Sequence, residues 1–160
     1  MLPRALVLTC LLLALPGRAA ADFHYSSYRY LGLGVAGDYA YGGRSDGGIY
    51  LTGHLCDTAG IATAQIALDA GYRFAARAAH LRLALEASFL YFGGYLGLVS
   101  GIGSQSSLGA SVGGALLLPA PWAHLALLVG ANIHFFNTGA WPHELMIRLR
   151  VALPISLGRR

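Results

Sequence analysis

The segment from Glu144 to Leu157 reads ELMIRLRVALPISL, and its alternation indicates the fold class. The even positions include Glu144, Arg148 and Arg150, whereas every odd position is apolar: Leu145, Ile147, Leu149, Val151, Leu153, Ile155 and Leu157. A two-residue period is typical of a strand with one apolar and one polar face. In a helix, the two arginines would lie roughly 200° apart and no coherent apolar stripe would form. The segment therefore predicts a β-strand.

The length of this strand fits a lipid bilayer. Its apolar residues span about 40 Å at roughly 3.3 Å per residue. When such a strand is tilted by about 40°, it matches the apolar band, about 25 Å tall, of a membrane β-barrel. We therefore expect the rest of the chain to repeat the alternation until a barrel closes.

The N-terminus has the features of a secretory signal peptide. A positive residue, Arg4, precedes an apolar core over residues 5–15, and Ala19 to Ala21 fit the small-residue cleavage rule. We expect residues 1–21 to be removed and residues 22–160 to form one barrel domain. The apolar core is about 11 residues long, which is too short for a membrane anchor.

The composition restricts the classes of function. Charged residues make up 11% of the chain and hydrophobic residues 56%, whereas ordinary soluble domains are about 25% charged. The only basic run is Arg159-Arg160, so we expect no nucleic-acid partner. Cys56 alone remains after cleavage, so no internal disulfide is expected. A secreted chain with so little charge requires an apolar environment, and we expect outer-membrane lipid to be its partner.

Seven further segments show the same alternation, which gives eight predicted strands. Turn-forming residues separate these strands, including a loop from Gly42 to Gly48 and a hairpin signal at Gly93-Gly94. An even number of antiparallel strands brings both chain ends to one side, as in bacterial outer-membrane barrels. The predicted strands cover residues 28–41, 49–56, 62–74, 80–92, 95–103, 107–118, 123–136 and 144–157.

No charged residue in the middle of a predicted strand falls on the apolar phase. On a lipid-facing position, arginine would cost about 2–4 kcal/mol at the bilayer midplane. An eight-stranded barrel is just wide enough to be filled by its side chains, so we expect these charges to pair and plug the lumen rather than to form a gated pore or proton path. The predicted lumen ionic network is Asp38, Asp69, Arg73, Arg82, Glu86, Arg148 and Arg150, and the predicted polar lumen residues are His54, His124, Asn132 and His134.

Aromatic residues of the apolar phase lie near strand ends, as expected of an interfacial girdle. Phe136 falls on the polar phase instead, together with His134. The predicted girdle residues are Tyr39, Tyr41, Tyr72, Phe74, Phe89, Tyr91 and Phe135.

Two other structures compete with this prediction. A soluble lipocalin-like barrel would turn the apolar phase inward, but its water-facing side would then carry few charges and no lysine. Helical spans over 89–103 and 108–136 would use the GxxxG spacing found in both segments. Pro119 and Pro121 interrupt the second segment, and the alternation elsewhere would have no explanation.

In this strand pattern, residues 22–160 resemble the small eight-stranded outer-membrane proteins of Gram-negative bacteria, the group that includes OmpA-type and OmpX-type barrels. The resemblance implies an all-β, eight-stranded, up-and-down antiparallel transmembrane β-barrel. It also implies that the protein is porin-like in being located in the bacterial outer membrane. Members of this group usually end in an aromatic residue, whereas this chain ends Leu157-Gly158-Arg159-Arg160.

A shorter resemblance concerns the segment HFFNTG, which begins at His134. It is similar to the His-x-Ser-Asn segment of outer-membrane lipid A deacylases, in which the histidine activates a serine on the same strand face. His134 and Asn137 match, but Phe136 takes the position of the serine. Without a hydroxyl group, no acyl-enzyme can form.

The histidines predict no metal site. His124 and His134 share a strand face, but ten residues place them about 33 Å apart. His54 and His80 lie on other strands whose register the sequence does not give. We therefore expect no metal and no cofactor, and a non-enzymatic structural or surface-interaction role. The alternatives are a deacylase-like lipid-modifying enzyme and a small-ligand conduit similar to OmpW-type barrels.

Overall fold

Eight strands make up nearly all of the part of the chain that the structure describes. This computed structural model describes residues 28–42, 45–59, 61–103, 106–120, 122–137 and 143–159, so the predicted signal peptide lies outside the described residues. Within these ranges, no helix is long and apolar enough to cross a membrane. The strands are β1 (Tyr28–Tyr41), β2 (Ser45–Ala59), β3 (Ala62–Arg73), β4 (Ala78–Phe89), β5 (Phe92–Ile102), β6 (Ser107–Pro119), β7 (His124–Asn137) and β8 (Glu144–Arg159).

The strands form a closed antiparallel barrel. Each strand pairs with its neighbour along the chain, and β1 pairs with β8 to close the sheet. The predicted all-β, up-and-down, eight-stranded barrel is therefore confirmed. The alternative of helical spans over 89–103 and 108–136 is wrong, because β4 to β7 cover these segments. We call the end of the barrel with Tyr28 and Arg159 the terminal end, and the opposite end the loop end.

The leucine-rich phase of the strands faces outward. In β8 the even positions from Glu144 to Ala152 are buried, whereas the odd positions from Leu145 to Leu157 are exposed or nearly so. The same alternation runs through β4, where buried and exposed residues follow one another without interruption. This arrangement is the opposite of a lipocalin-like barrel, in which apolar residues fill the middle.

Strand β2 is longer than the sequence predicts. The two segments predicted as 49–56 and 95–103 are both strands, but β2 begins at Ser45, which pairs with Tyr41 of β1. The predicted loop over residues 42–48 is therefore shorter. The Asp46 carboxylate accepts hydrogen bonds from the backbone N–H groups of Ala75 and Ala76 at 2.8 and 3.2 Å. These bonds tie the start of β2 to the connection between β3 and β4.

The hairpin predicted at Gly93-Gly94 is displaced. The turn lies at Leu90 and Tyr91, whose φ angles are 48° and 75°, between the paired residues Phe89 and Phe92. Two positive φ angles in a two-residue loop are typical of a type I′ turn. Gly93 instead lies in β5, where a Cβ atom would overlap the carbonyl oxygen of the opposite strand. This glycine therefore permits close approach of the strands rather than a turn.

A β-bulge changes the phase at the end of β7. Leu108 of β6 pairs with Phe136 and Gly109 pairs with His134, so Phe135 is the extra residue. Beyond a bulge the alternation shifts by one position. Phe135 and Phe136 are 65% and 70% exposed. The prediction that Phe136 shares the polar phase is therefore wrong.

Replacing Leu90-Tyr91 by Asn-Gly should stabilise the barrel. Both native residues have positive φ angles, a left-handed backbone conformation that is unfavourable for residues with large side chains and more favourable for Asn and Gly. We expect the free energy of unfolding to rise by about 1–2 kcal/mol. Urea unfolding of the purified barrel measures this change. The matched variant Gly93→Ala should lower stability, and an equal gain from both variants would contradict our assignment of the turn.

Candidate functional site: the charged barrel interior

A cluster of buried ions fills the middle of the barrel around Arg148 of β8. Arg148 Nη2 donates to Asp38 Oδ2 at 2.7 Å, and Nη1 donates to Asp69 Oδ2. Asp69 also accepts hydrogen bonds from Arg82 Nη1 at 3.1 Å and from Thr52 Oγ1 at 2.6 Å. None of the ionised side chains is more than 9% exposed. Since a buried charge without a partner is costly, these contacts stabilise the cluster as a unit.

Strand register brings these charges together. Asp38 lies directly opposite Arg148 in the pairing of β1 with β8, and Asp69 lies opposite Arg82 in the pairing of β3 with β4. Side chains directly opposite each other on one sheet face are within reach of contact. Two of the ion pairs therefore follow from neighbouring strands, whereas the contact of Arg148 with Asp69 crosses the barrel interior.

A second cluster surrounds Glu86 of β4. Arg150 donates to both carboxylate oxygens, with distances of 2.6 Å to Oε2 and 3.1 Å to Oε1. Gln65 Nε2 donates to Oε2 at 2.5 Å, and Arg82 Nη1 donates to Oε1 at 3.0 Å. Because Arg82 also contacts Asp69, it joins the second cluster to the first.

A third cluster lies nearer the loop end and contains Glu144, the first residue of β8. Arg73 Nη1 donates to both Glu144 oxygens at 2.8 and 2.9 Å, and Asn132 Nδ2 donates to Oε2 at 3.1 Å. Arg73 Nε also donates to the Tyr50 hydroxyl at 3.3 Å and lies 3.9 Å from Asp38 Oδ1. The third cluster is therefore continuous with the first.

The interior charges balance. Among the described residues, four acids and four arginines are buried: Asp38, Asp69, Glu86 and Glu144 against Arg73, Arg82, Arg148 and Arg150. The sequence prediction placed the other seven in the lumen and omitted Glu144. Its phase is the signal that could have identified it, because Glu144 is an even number of residues from Arg148 and Arg150.

Two of the predicted polar lumen residues form a pair across the barrel. His54 Nε2 lies 2.9 Å from His124 Nδ1, and the two rings stack with centroids 5.2 Å apart. Their strands, β2 and β7, are not neighbours, so strand periodicity could not predict this contact. His134 Nε2 lies 4.0 Å from Glu144 Oε2. Within the described ranges, no group of three His, Cys, Asp or Glu side chains could hold a metal ion.

Part of the interior wall is apolar. A cluster of buried residues there comes mainly from β6 and β7, with one residue each from β5 and β8. Leu117, Leu128 and Met146 are at most 2% exposed. Buried side chains thus occupy the described interior, with the ions on β1, β3, β4 and β8 and an apolar cluster mainly on β6 and β7. The apolar cluster is Tyr95, Ala115, Leu117, Ala126, Leu128 and Met146.

The deacylase-like segment does not form a shared face in this structure. His134 is buried, whereas Phe136, at the position of the serine, is on the outside of the barrel beyond the bulge. A histidine and a nucleophile must be within hydrogen-bonding reach for activation. The two positions therefore lie on opposite sides of the sheet.

A scan against protein-family models and searches of curated proteins and solved structures find no match to this chain. Fold and interior alone therefore define its class. It is an eight-stranded antiparallel β-barrel with a neutral network of buried ions inside and large apolar side chains outside.

Replacing Arg148 by Met should strongly destabilise the barrel, because two buried carboxylates lose their shared partner. We expect a loss of about 3–5 kcal/mol in the free energy of unfolding, measured by urea unfolding. The matched control is Arg29→Met, since Arg29 belongs to a partly exposed ion pair with Asp57. Such pairs contribute about 0–1 kcal/mol.

The triple variant Arg148→Met with Asp38→Asn and Asp69→Asn should recover part of this loss, because it removes the uncompensated charge. If the triple variant were no more stable than Arg148→Met alone, lost packing rather than unpaired charge would explain the effect.

Proposed function

We propose that this chain is secreted by its N-terminal signal peptide and inserts into a bacterial outer membrane as a transmembrane β-barrel. Its role is non-enzymatic and structural or surface-interacting, and its lumen is plugged by side chains. The observation that carries this proposal is the division of residues between the two faces of the closed sheet. Charges pair inside, and large apolar side chains cover the outside.

The outer face supports a lipid environment. Among the strand residues whose side chains the structure describes, those facing outward carry charge only at Arg29 and Asp57, both near the terminal end. Between the strand ends the outer surface is mainly Leu, Ile, Val, Ala and Gly. A continuous apolar surface of this extent is a liability in water and matches the hydrocarbon region of a bilayer.

Exposed aromatic side chains lie toward both ends of this apolar surface. Aromatic girdles at the two interfaces are characteristic of membrane barrels, because these rings favour the headgroup region. They support a bilayer that lies between the two ends. The residues are Tyr39, Tyr41, Tyr72, Phe74, Phe135 and Phe136 at the loop end, and Phe89, Tyr91, Phe92 and Trp122 at the terminal end.

The filled interior supports a plug rather than a conduit. Arg73, Arg82, Arg148 and Arg150 are each at most 1% exposed, and their guanidinium groups contact carboxylates inside the lumen. A path for ions or small molecules would have to break several charge-assisted hydrogen bonds. A structural role is therefore favoured over transport.

The lengths of the connections support an orientation. At the terminal end the connections span residues 60–61, 90–91 and 120–123, whereas the last connection at the loop end spans residues 138–143. Outer-membrane barrels have short turns on the periplasmic side and longer loops outside. The terminal end therefore faces the periplasm, and any surface contact uses the loop end.

Replacing Leu83 by Arg distinguishes a membrane barrel from a water-soluble one. Leu83 lies on the outer face in the middle of β4. In a bilayer, we expect the folded form to lose about 2–4 kcal/mol, whereas Ala79→Arg near the end of the same strand should lose only about 0–1 kcal/mol. The measurement is the fraction of heat-modifiable, fast-migrating protein after folding into lipid vesicles.

A water-soluble barrel would behave differently, because Leu83→Arg would add charge to a surface in contact with water. Folding of that variant without detergent or lipid, with a yield equal to or above that of the wild type, would contradict the membrane assignment.

Planar-bilayer recordings test the plug. We expect the wild-type barrel to give no steady channel openings, because the charged side chains of its lumen are paired and buried. The variant Arg148→Ala/Arg150→Ala should give cation-selective openings, since it removes bulk and leaves carboxylates unpaired. Steady openings of the wild type would show that the lumen conducts.

A further inference from the structure

We propose that a groove on the outer face, near the terminal end, binds one zwitterionic phospholipid that carries a primary ammonium group. An acyl chain lies in the groove, and the headgroup lies at Arg29 and Asp57. This inference rests on the proposed membrane location. It adds a specific lipid site to an outer surface that would otherwise contact lipid without selectivity.

Strand register builds the floor of the groove. Arg29, Asp57, Ala64, Ala87 and Gly94 lie directly opposite one another on consecutive strands from β1 to β5. Four strand spacings make this row about 19 Å long. Apart from Arg29 and Asp57, the residues of the row have a methyl side chain or none. The outer surface therefore forms a shallow depression along the row.

A ridge of larger side chains borders the row on the side of the loop end. Its residues are also aligned by register, two positions further along each strand: Leu55, Ile66, Leu85 and Leu96. The ridge and the row line a cavity of about 770 Å³ that includes Arg29 and Asp57. On the other side, two positions further toward the terminal end, Phe89 and Phe92 border the row at β4 and β5, and Ala59 and Ala62 hold the same positions on β2 and β3. The groove is thus elongated, apolar and charged at one end.

The width of the groove favours a hydrocarbon chain over a protein partner. At β4 and β5, where large side chains border both sides, the bordering rows are four residues apart along the strands, or about 13 Å between Cα positions. Their side chains narrow this gap, whereas an α-helix with its side chains is about 10–12 Å wide. A flexible acyl chain has the smaller cross-section, and its methylene groups match the leucine and isoleucine wall.

The charged end of the groove complements a zwitterionic headgroup. Arg29 Nη2 and Asp57 Oδ2 are 3.6 Å apart, and the two side chains are 42% and 33% exposed. A phosphate oxygen can accept a hydrogen bond from the Arg29 guanidinium, and an ammonium group can donate to the Asp57 carboxylate. These charge-assisted contacts engage both members of the ion pair at once. An anionic headgroup without an ammonium group would face repulsion from Asp57.

Native mass spectrometry of the detergent-solubilised barrel tests this proposal. The protein is mixed with equal amounts of phosphatidylethanolamine and phosphatidylglycerol, and we expect one phosphatidylethanolamine to be retained per barrel. Ala64→Leu/Ala87→Leu fills the groove and should weaken retention by about tenfold or more, because several methylene contacts are lost. The matched control is Ala70→Leu. Ala70 faces outward on β3, on the loop-end side of the ridge, and this variant should bind lipid as the wild type does.

Headgroup variants separate recognition of charge from burial of the acyl chain. Asp57→Asn should remove the preference for phosphatidylethanolamine over phosphatidylglycerol, and Arg29→Gln should weaken binding of both lipids. Equal retention of both lipids by the wild type, or full retention by Ala64→Leu/Ala87→Leu, would overturn the proposal. A wild-type dimer that is lost in Ala64→Leu/Ala87→Leu would also overturn the proposal, because the groove would then bind a second copy of the chain.

Failure of this inference is distinguishable from failure of the proposed function. A barrel that folds into vesicles with heat-modifiable mobility but retains no phosphatidylethanolamine would contradict the lipid site alone. A barrel that does not insert into vesicles would contradict both.

Discussion

The structure depends on the neutralisation of charge inside a closed sheet. Arg148 holds Asp38 and Asp69 together, and the remaining interior ions connect to this centre through Arg82 and Arg73. Closure of the barrel separates these groups from water, so each charge must find its partner among the inward side chains. The equal numbers of acids and arginines satisfy this constraint, and they do so only if the strands adopt one particular register.

Register and electrostatics therefore support each other. Asp38 faces Arg148 and Asp69 faces Arg82 across neighbouring strands. Because side chains alternate with a period of two, a slip by one residue would turn arginines outward and leucines inward. Such a slip would break the ion network and, in a membrane, expose charge to lipid. The ion network thus specifies the pairing of the strands as well as filling the lumen.

The outer surface is less uniform than its composition indicates. Large side chains cover most of it, but the register aligns Ala64, Ala87 and Gly94 into a low row that ends at an ion pair. Each of these residues is unremarkable within its own strand. Their alignment across β1 to β5 creates a shape and a charge pattern that a lipid can complement, which links strand pairing to the proposed location of the protein.

The sequence by itself determined the strands, their number and the two faces of the sheet. Alternation is a local property, so the inward position of all eight interior ions of the described residues follows from periodicity, although our prediction named only seven of them. The tertiary structure decided the turn at Leu90-Tyr91, the bulge that exposes Phe136, and the contact between His54 and His124. These features depend on how strands pair and how the barrel closes, because residues distant in sequence meet only when register and curvature are fixed. The period of two contains no information about either.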